Sequence, residues 1–327
     1  MENDVGLGIL SYIPDDMMSK AFENNPTLLL VSKHMRRALQ QCKPNLHVRL
    51  DVSYNYNSLI PTPVSDRAQS VQNLIEHKQK IGRFSEFYTI TKLTYEVWEV
   101  GGGGRRLSDP DLAYWSEIFQ YCPELEELTF NGLHTFKVSH FPNLGLALQN
   151  NPSIHLKRLN LWNQSLNCDR ACRFLDLLRN SSSGATLAEL DLGHNSFCTM
   201  YTPNANGTET SKTFGDVAER LSHLPALKSL SLSKILLNYN FRNEMQTFVR
   251  EMGPSKLEHL NMCNLRDGSN HPFYSEVINK NLLPLLKALE GCALFKNLTL
   301  LQISGNPGLD DNIRSRFGLL GNIVIGC

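Results

Sequence analysis

The sequence lacks an excess of charge of either sign, since its 327 residues carry 32 Lys and Arg against 32 Asp and Glu. A protein that binds nucleic acid needs a positive excess to displace the counterions of the phosphate backbone. The chain also lacks long apolar runs. Stretches such as "LLLV" at 28–31 fall far short of the roughly 20 residues that cross a bilayer. We therefore expect neither a nucleic-acid partner nor a membrane-spanning segment.

Cysteines are too few and too scattered for a disulfide framework, because the chain has 8 spread over its whole length. Cys168 and Cys172 lie four positions apart on a predicted helix, but no second close pair accompanies them, so we expect no zinc site. The N-terminal stretch "MENDVGLGILSYIPDDMM" has no basic segment followed by an apolar run, and so indicates no signal peptide. The sequence favours a protein of the cytoplasm or nucleus with reduced thiols.

Motifs of catalysis and of cofactor binding are missing as well. The sequence contains no G-x-S-x-G, H-E-x-x-H or cysteine–histidine signature. Four glycines at 101–104 precede two arginines, but they lack the spacing of a phosphate-binding loop and fit a flexible edge loop better. We expect no enzyme, no cofactor or metal, and no small-molecule substrate.

What the sequence does contain is a repeated frame with apolar residues at offsets zero, three and five. The stretch "LKRLNLWNQSL" (156–166) shows this frame in Leu156, Leu159 and Leu161. Two weaker candidate frames begin at His47 and Leu320. Seven clear frames recur at intervals of 30 to 41 residues, beginning at Ile90, Leu125, Leu156, Leu187, Leu227, Leu257 and Leu298.

Between the frames, the apolar spacing changes from that of a strand to that of a helix. A strand and a helix in each unit predict an α/β solenoid, in which no unit buries its own apolar face and stacking of neighbours builds the core. The predicted helix faces comprise Val71, Leu74, Ile75, Lys78 and Ile81; Leu112, Trp115, Ile118 and Phe119; Ala171, Phe174, Leu175 and Leu178; Phe214, Val217, Leu221 and Leu224; and Met245, Phe248 and Met252.

The frame resembles the leucine-rich repeat, L-x-x-L-x-L-x-x-N-x-L. "LAELDLGHNSF" (187–197) and "LTLLQISGNPGL" (298–309) place Asn195 and Asn306 at the asparagine of that pattern, whose side chain in the family bonds the turn that leaves the strand. Gln164 and Ile235 stand there in other units, so their turns must be closed differently. A full helix in each unit is similar to the ribonuclease-inhibitor subclass. The resemblance implies a leucine-rich-repeat domain over 46–327, with a curved parallel sheet inside and helices outside.

The segment before the repeats, residues 1–45, resembles an F-box. "IPDDMM" stands where that family has L-P-D-E-L-L, and "LLLVSKHMRRAL" stands where it has a leucine-rich turn, V-S/C-K and a basic tail. Pro14 and Val31 lie closer together than the family's pattern requires. The alternative is a helical cap that shields the open end of the solenoid from water. The resemblance implies that a Skp-type adaptor would be bound by Ile13, Pro14, Met17, Leu30 and Val31.

The residues at offsets two, four and six of each frame are expected to face solvent on the concave side, because side chains alternate along a strand. Trp162 is the only tryptophan among them, and Arg158 is placed to pair sideways with Glu127 or Glu189. An equal alternative has Trp162 packed beneath the 198–212 loop. Since Trp and Arg are enriched at binding hot spots, we predict a partner protein at Glu127, Arg158, Asn160, Trp162, Glu189, Asp191, Ser231 and His259.

Together these features predict a non-catalytic module that binds proteins. If the F-box resemblance holds, the chain is a substrate receptor of an SCF-type (cullin–RING) ubiquitin ligase, with the adaptor at the N-terminal segment and the substrate on the concave face. The alternative is a stand-alone scaffold, inhibitor or secreted effector whose N-terminal helices act only as a cap.

Overall fold

The computed structural model describes residues 41, 43, 45–55, 63–100, 111–131, 140–197, 212–237, 241–267, 297–306 and 324–326. The predicted adaptor-binding residues, and most of the 198–212 loop, lie outside the described residues. The elements are, in chain order, β1 (Asn45–Asn55), α1 (Pro63–Ser85), β2 (Thr89–Val100), α2 (Leu112–Tyr121), β3 (Glu127–Asn131), α3 (His140–Asn150), β4 (Arg158–Asn160), α4 (Cys168–Arg179), α5 (Ser182–Thr186), β5 (Glu189–Asp191), α6 (Phe214–Ser222), β6 (Ser229–Ser231), β7 (Leu236–Leu237), α7 (Phe241–Met252), β8 (His259–Asn261), β9 (Arg266–Asp267), β10 (Leu300–Gln302) and β11 (Val324–Gly326).

Within those ranges, nine strands form one open sheet in the order β1-β2-β3-β4-β5-β6-β8-β10-β11. Every neighbouring pair is parallel. The strands join the sheet in the order in which the chain makes them, which is the order that a stack of strand–helix units requires. A second, two-stranded parallel ribbon, β7 with β9, runs beside the main sheet. This architecture confirms the α/β, solenoid-like part of the prediction.

The apolar frames lie in register across the sheet. Leu159 pairs with Leu128 on one side and Leu190 on the other, and each of the three is at most 2% exposed. These leucines belong to one continuous apolar core with the buried residues of the helices. The helices therefore cover one face of the sheet, and the alternating residues at offsets two and four face away from the core.

The predicted helix faces pack into the core in α2, α4, α6 and α7, where only Leu112 is partly exposed, but the face predicted for α1 is wrong in one place. Ile75 is 43% exposed, whereas His77 is 5% exposed. The ring of His77 hydrogen-bonds the Tyr114 hydroxyl at 3.1 Å, and its edge meets the Tyr95 ring. A histidine with a polar partner thus occupies the core position, and the isoleucine beside it on the helix turns outward. The sequence reading also missed α3, which packs against α2 and α4.

At both ends of the sheet the predicted frames are shifted. β1 pairs Val48 with Leu93 and Leu50 with Tyr95, after an irregularity between Leu46 and His47. Within residues 45–50, whose burial is described, the buried residues are Leu46, Val48 and Leu50, and the register shows that the frame predicted to begin at His47 is wrong. At the other end, Ile325 pairs with Leu301, whereas the frame predicted from Leu320 assigns that position to Ile323.

The turn that leaves each of the later strands repeats one backbone feature. The residue at offset seven of five successive frames has a positive φ of 54° to 67°, the left-handed conformation that lets the chain leave the strand in a tight turn. In the last of these units the residue is glycine, which adopts this conformation most readily. The five positions are Asn163, His194, Lys234, Asn264 and Gly305.

The residue after the left-handed position is buried in each of these turns. Asn195 is 2% exposed and uses its whole amide: Nδ2 donates to the carbonyls of Leu161, Leu192 and Gly193, and Oδ1 accepts from the backbone N–H groups of Gln164 and Leu166. Asn306 donates to two carbonyls and accepts one N–H in the same way.

Where no asparagine stands at this position, the turn is closed differently, as the sequence predicted. Gln164 donates from Nε2 to the carbonyl of Trp162 at 2.9 Å. Ile235 and Leu265 fill the position with apolar side chains that are 0% and 4% exposed. Within the part of the chain that the structure describes, no helix combines the length and apolar composition needed to cross a bilayer.

Candidate functional site

The first feature of the sheet face opposite the helices is a line of charged side chains at offset two. Because β2 to β5 pair in register, their offset-two residues stand side by side, and opposite charges alternate along the line. Lys92 Nζ lies 3.0 Å from Glu127 Oε1, Arg158 Nη1 lies 3.2 Å from the same oxygen, and Arg158 Nε lies 2.9 Å from Glu189 Oε1. We call these four residues, Lys92, Glu127, Arg158 and Glu189, the charged row.

The charged row is exposed and balanced within itself. The side chains of Arg158, Glu189 and Lys92 are 54%, 48% and 47% exposed, and that of Glu127 is 25% exposed. Hydrogen bonding and ion pairing with Glu189, followed by the charge of Glu127, raise the pKa of Arg158 further. The predicted sideways pairing of Arg158 is thus present with both neighbours, and each charge in the row already has an opposite charge beside it.

A second line, at offset four, contains polar side chains that bond their own strand ends. Asn160 Oδ1 accepts the backbone N–H of Trp162 at 2.9 Å, Asp191 Oδ1 accepts that of Gly193 at 2.8 Å, and Asn261 Oδ1 accepts that of Cys263 at 3.0 Å. Each bond fixes the start of the turn that follows. Two residues predicted for partner binding, Asn160 and Asp191, therefore also have a role in the fold.

Asp191 differs from the two asparagines because it brings a carboxylate into a half-buried place. Burial raises its pKa above the ordinary value, and the hydrogen bonds from the Gly193 N–H and the Ser231 hydroxyl act in the opposite direction. Ser231, another predicted binding residue, stands beside Asp191 in the register of β5 and β6. Among the described residues, no Lys or Arg lies within ion-pair distance of Asp191.

Trp162 stands at offset six and is half-buried against the next unit. Its ring stacks on that of His194, with centroids 4.9 Å apart and planes at 20°. A Cβ added to Gly193 would lie 2.8 Å from Trp162 Cδ1, so the absence of a side chain at Gly193 leaves space for the indole. His194 Nδ1 in turn contacts Asn163 Oδ1 at 2.7 Å. Trp162 therefore packs on its own chain while it keeps part of its surface exposed.

Beyond β5 the same face carries no described carboxylate or Lys or Arg at offsets two, four and six. Ser229, Ser231 and Ser233 follow one another on β6 and its turn, and His259 is exposed on β8. Cys263 and Ser304 contact each other through Sγ and Oγ at 3.1 Å. The face is thus charged from β2 to β5 and neutral from β6 to β10.

The two cysteines whose four-residue spacing is compatible with metal binding lie in the core. Cys168 and Cys172, on α4, are each at most 2% exposed, and Cys168 Sγ donates to the carbonyl of Phe197. Burial raises the pKa of the Cys172 and Cys122 thiols to about 12. Among the described residues, no three His, Cys, Asp or Glu side chains are grouped as a metal site requires.

Gly193 and His194 are the residues of this face that sequence reasoning missed. Gly193 stands at offset six of its frame and His194 follows it in the turn, and neither position within one unit indicates a contact with Trp162. The signal was present in the alignment of two units, because Trp162 in one unit and Gly193 in the next share offset six. A large residue beside a glycine at the same offset indicates that the large side chain lies across its neighbour.

No family model matches the chain. No curated protein matches it either. Among solved structures, the chain is similar to a crystal structure of a protein from Bacteroides fragilis, at 12% identity and a TM-score of 0.33 over 73% of this chain and 69% of that one. A similarity of this size says nothing about function.

Proposed function

We propose that the protein is a leucine-rich-repeat solenoid that binds a partner protein on the sheet face opposite its helices and performs no catalysis there. The observation that carries the proposal is this exposed face itself. Polar side chains from successive strands stand there in register, and Arg158 and the half-buried Trp162 lie among them.

The leucine-rich-repeat identity rests on the turn as well as on the leucines. Asn195 and Asn306 are buried and bond the backbone of the turns, as the asparagine of that repeat is expected to do. A left-handed residue precedes each of them. A strand frame, a left-handed residue and a buried asparagine at fixed offsets are together more specific than apolar spacing alone.

Protein binding is favoured because the face is broad. Neighbouring strands lie about 4.8 Å apart, so a row of side chains over several strands presents an extended surface rather than a pocket. Solenoids use such surfaces for macromolecular partners. Trp and Arg, both present on the charged part of the face, are the residue types that contribute most often to binding hot spots.

The test is affinity capture from a lysate with three forms of the full chain: wild type, Trp162→Ala and Tyr121→Ala. Tyr121 is the matched control, since it is a partly exposed aromatic residue on α2, on the helical side. We expect Trp162→Ala to lose a captured protein that wild type and Tyr121→Ala retain, with thermal unfolding still cooperative in all three. Retention by Trp162→Ala at wild-type level would contradict a role for this part of the face.

The finer proposal is that the N-terminal segment binds a Skp-type adaptor and makes the chain a substrate receptor of a cullin–RING ubiquitin ligase. Its support is the sequence resemblance at Pro14 and Val31. Co-expression with a Skp-type adaptor tests it, with Pro14→Glu and Val31→Glu beside wild type. Co-purification that both substitutions abolish is the expected result. Equal co-purification of all three forms, or none with wild type, would leave the scaffold, inhibitor or effector with an N-terminal cap as the better account.

A further inference from the structure

Asp191 is the one carboxylate in the offset-two and offset-four lines, among their described side chains, that no cation neutralises. Glu127 and Glu189 both pair with Arg158, and Lys92 pairs with Glu127. Asp191 instead receives two neutral hydrogen bonds, from the Gly193 N–H and the Ser231 hydroxyl. A half-buried carboxylate without a counterion is costly, because burial disfavours the charged form unless an opposite charge compensates.

The fold does not require this charge. At the same offset in the preceding unit and in the unit two further along the chain, Asn160 and Asn261 form the same hydrogen bond to the backbone N–H two residues on, at 2.9 and 3.0 Å. An amide oxygen is therefore sufficient to fix the turn. In the unit between, Asp191 makes that bond at 2.8 Å and adds a negative charge that the turn does not use.

An aromatic surface adjoins the carboxylate. The Gly193 N–H bonds Asp191, and the Trp162 indole lies across Gly193 with its ring stacked on His194. The carboxylate and the indole thus meet at one glycine. A negative charge next to an indole face suits a cation, because the face of Trp attracts Lys and Arg head groups and the carboxylate supplies a charged acceptor.

No Lys or Arg among the residues that the structure describes is placed to fill this position. Arg158, the basic residue of the preceding strand, is engaged by Glu127 and Glu189. The stretch 198–211, which follows the same unit in sequence, contains no Lys or Arg. The described part of the chain therefore supplies no counterion for Asp191.

We propose that Asp191 and Trp162 together bind a lysine or arginine side chain of the partner protein. The inference rests on the proposed function and specifies the chemistry of the partner: a segment with a basic residue that seats at the boundary between the charged row and the neutral strands. The carboxylate neutralises the basic head group, and the indole covers its apolar stem.

Two short peptides test the proposal without knowledge of the partner: acetyl-Gly-Arg-Gly-amide, and acetyl-Gly-Gln-Gly-amide as the neutral control. The readout is the NMR signal of the Trp162 indole N–H in the full chain, assigned by its absence in Trp162→Phe. The arginine peptide should shift this signal saturably, and the glutamine peptide should not. Absence of a shift with wild type, or equal shifts with both peptides, would overturn the proposal.

Asp191→Asn and Glu189→Gln are the matched variants, since each removes one negative charge from β5. Asp191→Asn keeps the turn bond that Asn160 and Asn261 make at the same offset of their own units, so it is expected to fold. It should lower the affinity for the arginine peptide about tenfold or more, which corresponds to the loss of a charged hydrogen bond. Glu189→Gln should change that affinity by less than about threefold. Equal weakening by both variants would overturn the proposal, since it would show a general charge effect.

The same two variants in the affinity capture separate this inference from the proposed function. Loss of the captured protein with Asp191→Asn, and its retention with Glu189→Gln, supports both. Retention of the captured protein with Asp191→Asn is compatible with binding on this face, but it would contradict the proposal that a basic side chain of the partner binds at Asp191. A peptide shift that depends on Asp191, in a chain that captures no protein, upholds the cation site and contradicts the proposed function.

Discussion

Two sets of polar side chains cross the same stack of units and differ in what they do. The turn asparagines, Asn195 and Asn306, are at most 5% exposed, and their amide groups bond backbone atoms of their own and the preceding unit. The charged row stands on the open face, and its central residue, Arg158, is 54% exposed. The first set holds neighbouring units together, and in the second the side chains of Lys92, Arg158 and Glu189 remain about half exposed to solvent.

The difference is one of desolvation rather than of polarity. When a buried amide is removed, the backbone groups that it bonded are left without a hydrogen-bond partner and without water. When an exposed ion pair is broken, its charged groups bind water again at little cost. Substitutions should therefore cost much at the turns and little in the charged row, and the following four are arranged from the largest expected effect to the smallest.

Asn195→Ala should be the most damaging change. It removes the hydrogen bonds to three carbonyls and two N–H groups inside a buried turn, so the free energy of unfolding should fall by about 3–5 kcal/mol, since each stranded buried group costs roughly 1–3 kcal/mol. Chemical denaturation measures it. Asn180→Ala, an exposed asparagine at the end of α4 with one bond to Asp176, is the control and should cost less than about 1 kcal/mol. Equal losses of stability in the two variants would contradict the distinction between buried turn asparagines and exposed polar residues.

Gly193→Ala changes a residue that lies between the open face and the buried turn of Asn195. The new methyl would lie 2.8 Å from Trp162 Cδ1 and 2.9 Å from the Ser233 carbonyl oxygen, so overpacking should cost about 1–3 kcal/mol. The indole should also move, which changes the Trp162 NMR signal. In a Trp162→Ala background the cost should shrink, because the contact with the indole is gone and only the two oxygen atoms of Ser233 still press on the new methyl. An unchanged cost in that background would show that the indole does not press on Gly193.

Arg158→Ala should change stability little. It breaks the pairs with Glu127 and Glu189, but exposed pairs contribute about 0.2–1 kcal/mol each at most and are screened by salt. Chemical denaturation at low salt should show a small difference in stability between the variant and wild type. At 1 M NaCl, where the Debye length is only about 3 Å, this difference should disappear. A loss comparable to that of Asn195→Ala would mean that the charged row holds the fold.

Asp191→Asn should have the smallest effect on stability, and its direction depends on pH. The native pKa of Asp191 is raised, so the native state holds this proton more tightly than the unfolded chain does. Its contribution is most favourable below the ordinary Asp pKa and is lost as the pH rises through the raised native value. The asparagine variant should thus gain on wild type as the pH rises through that window. A gain on acidification instead would contradict the burial of an uncompensated charge.

The repeat could be predicted because its apolar residues recur at regular spacings along the sequence. The positions of Leu159 and its equivalents fix the strand register, and the change to helical spacing places α2, α4, α6 and α7. Spacing alone does not show which polar residue has a buried partner. His77 enters the core through its bond to the Tyr114 hydroxyl, which no local pattern reveals. Both end frames were misaligned by two residues: Leu50 stands where the frame from His47 placed Val52, and Ile325 stands where the frame from Leu320 placed Ile323. A two-residue shift leaves the same side chains on the same face, so the alternation of apolar residues does not distinguish the two registers.

For the candidate site, the sequence predicted which residues share the sheet face opposite the helices, and it missed contacts that some of them make within the chain. Arg158, Glu127 and Glu189 were expected to lie side by side and do. Asn160 and Asp191 were expected only to meet a partner, yet both also bond the backbone of the following turn. Trp162 was expected to be either free or covered by the 198–212 loop, most of which lies outside the described residues, and the contacts that the structure shows for it are with Gly193 and His194. Such pairings join side chains of neighbouring units, about 30 residues apart in sequence, and spacing within one unit does not encode them.

The most direct test of the account is site-specific photo-crosslinking of the full chain in a lysate. A photoreactive residue replaces Ser229, on β6 at the centre of the open face, in one form, and Arg173, an exposed residue of α4 on the helical side, in the other. Binding on the open face predicts a discrete protein adduct from position 229 and none of that mass from position 173. An adduct from position 173 alone, or the same adduct from both, would contradict it.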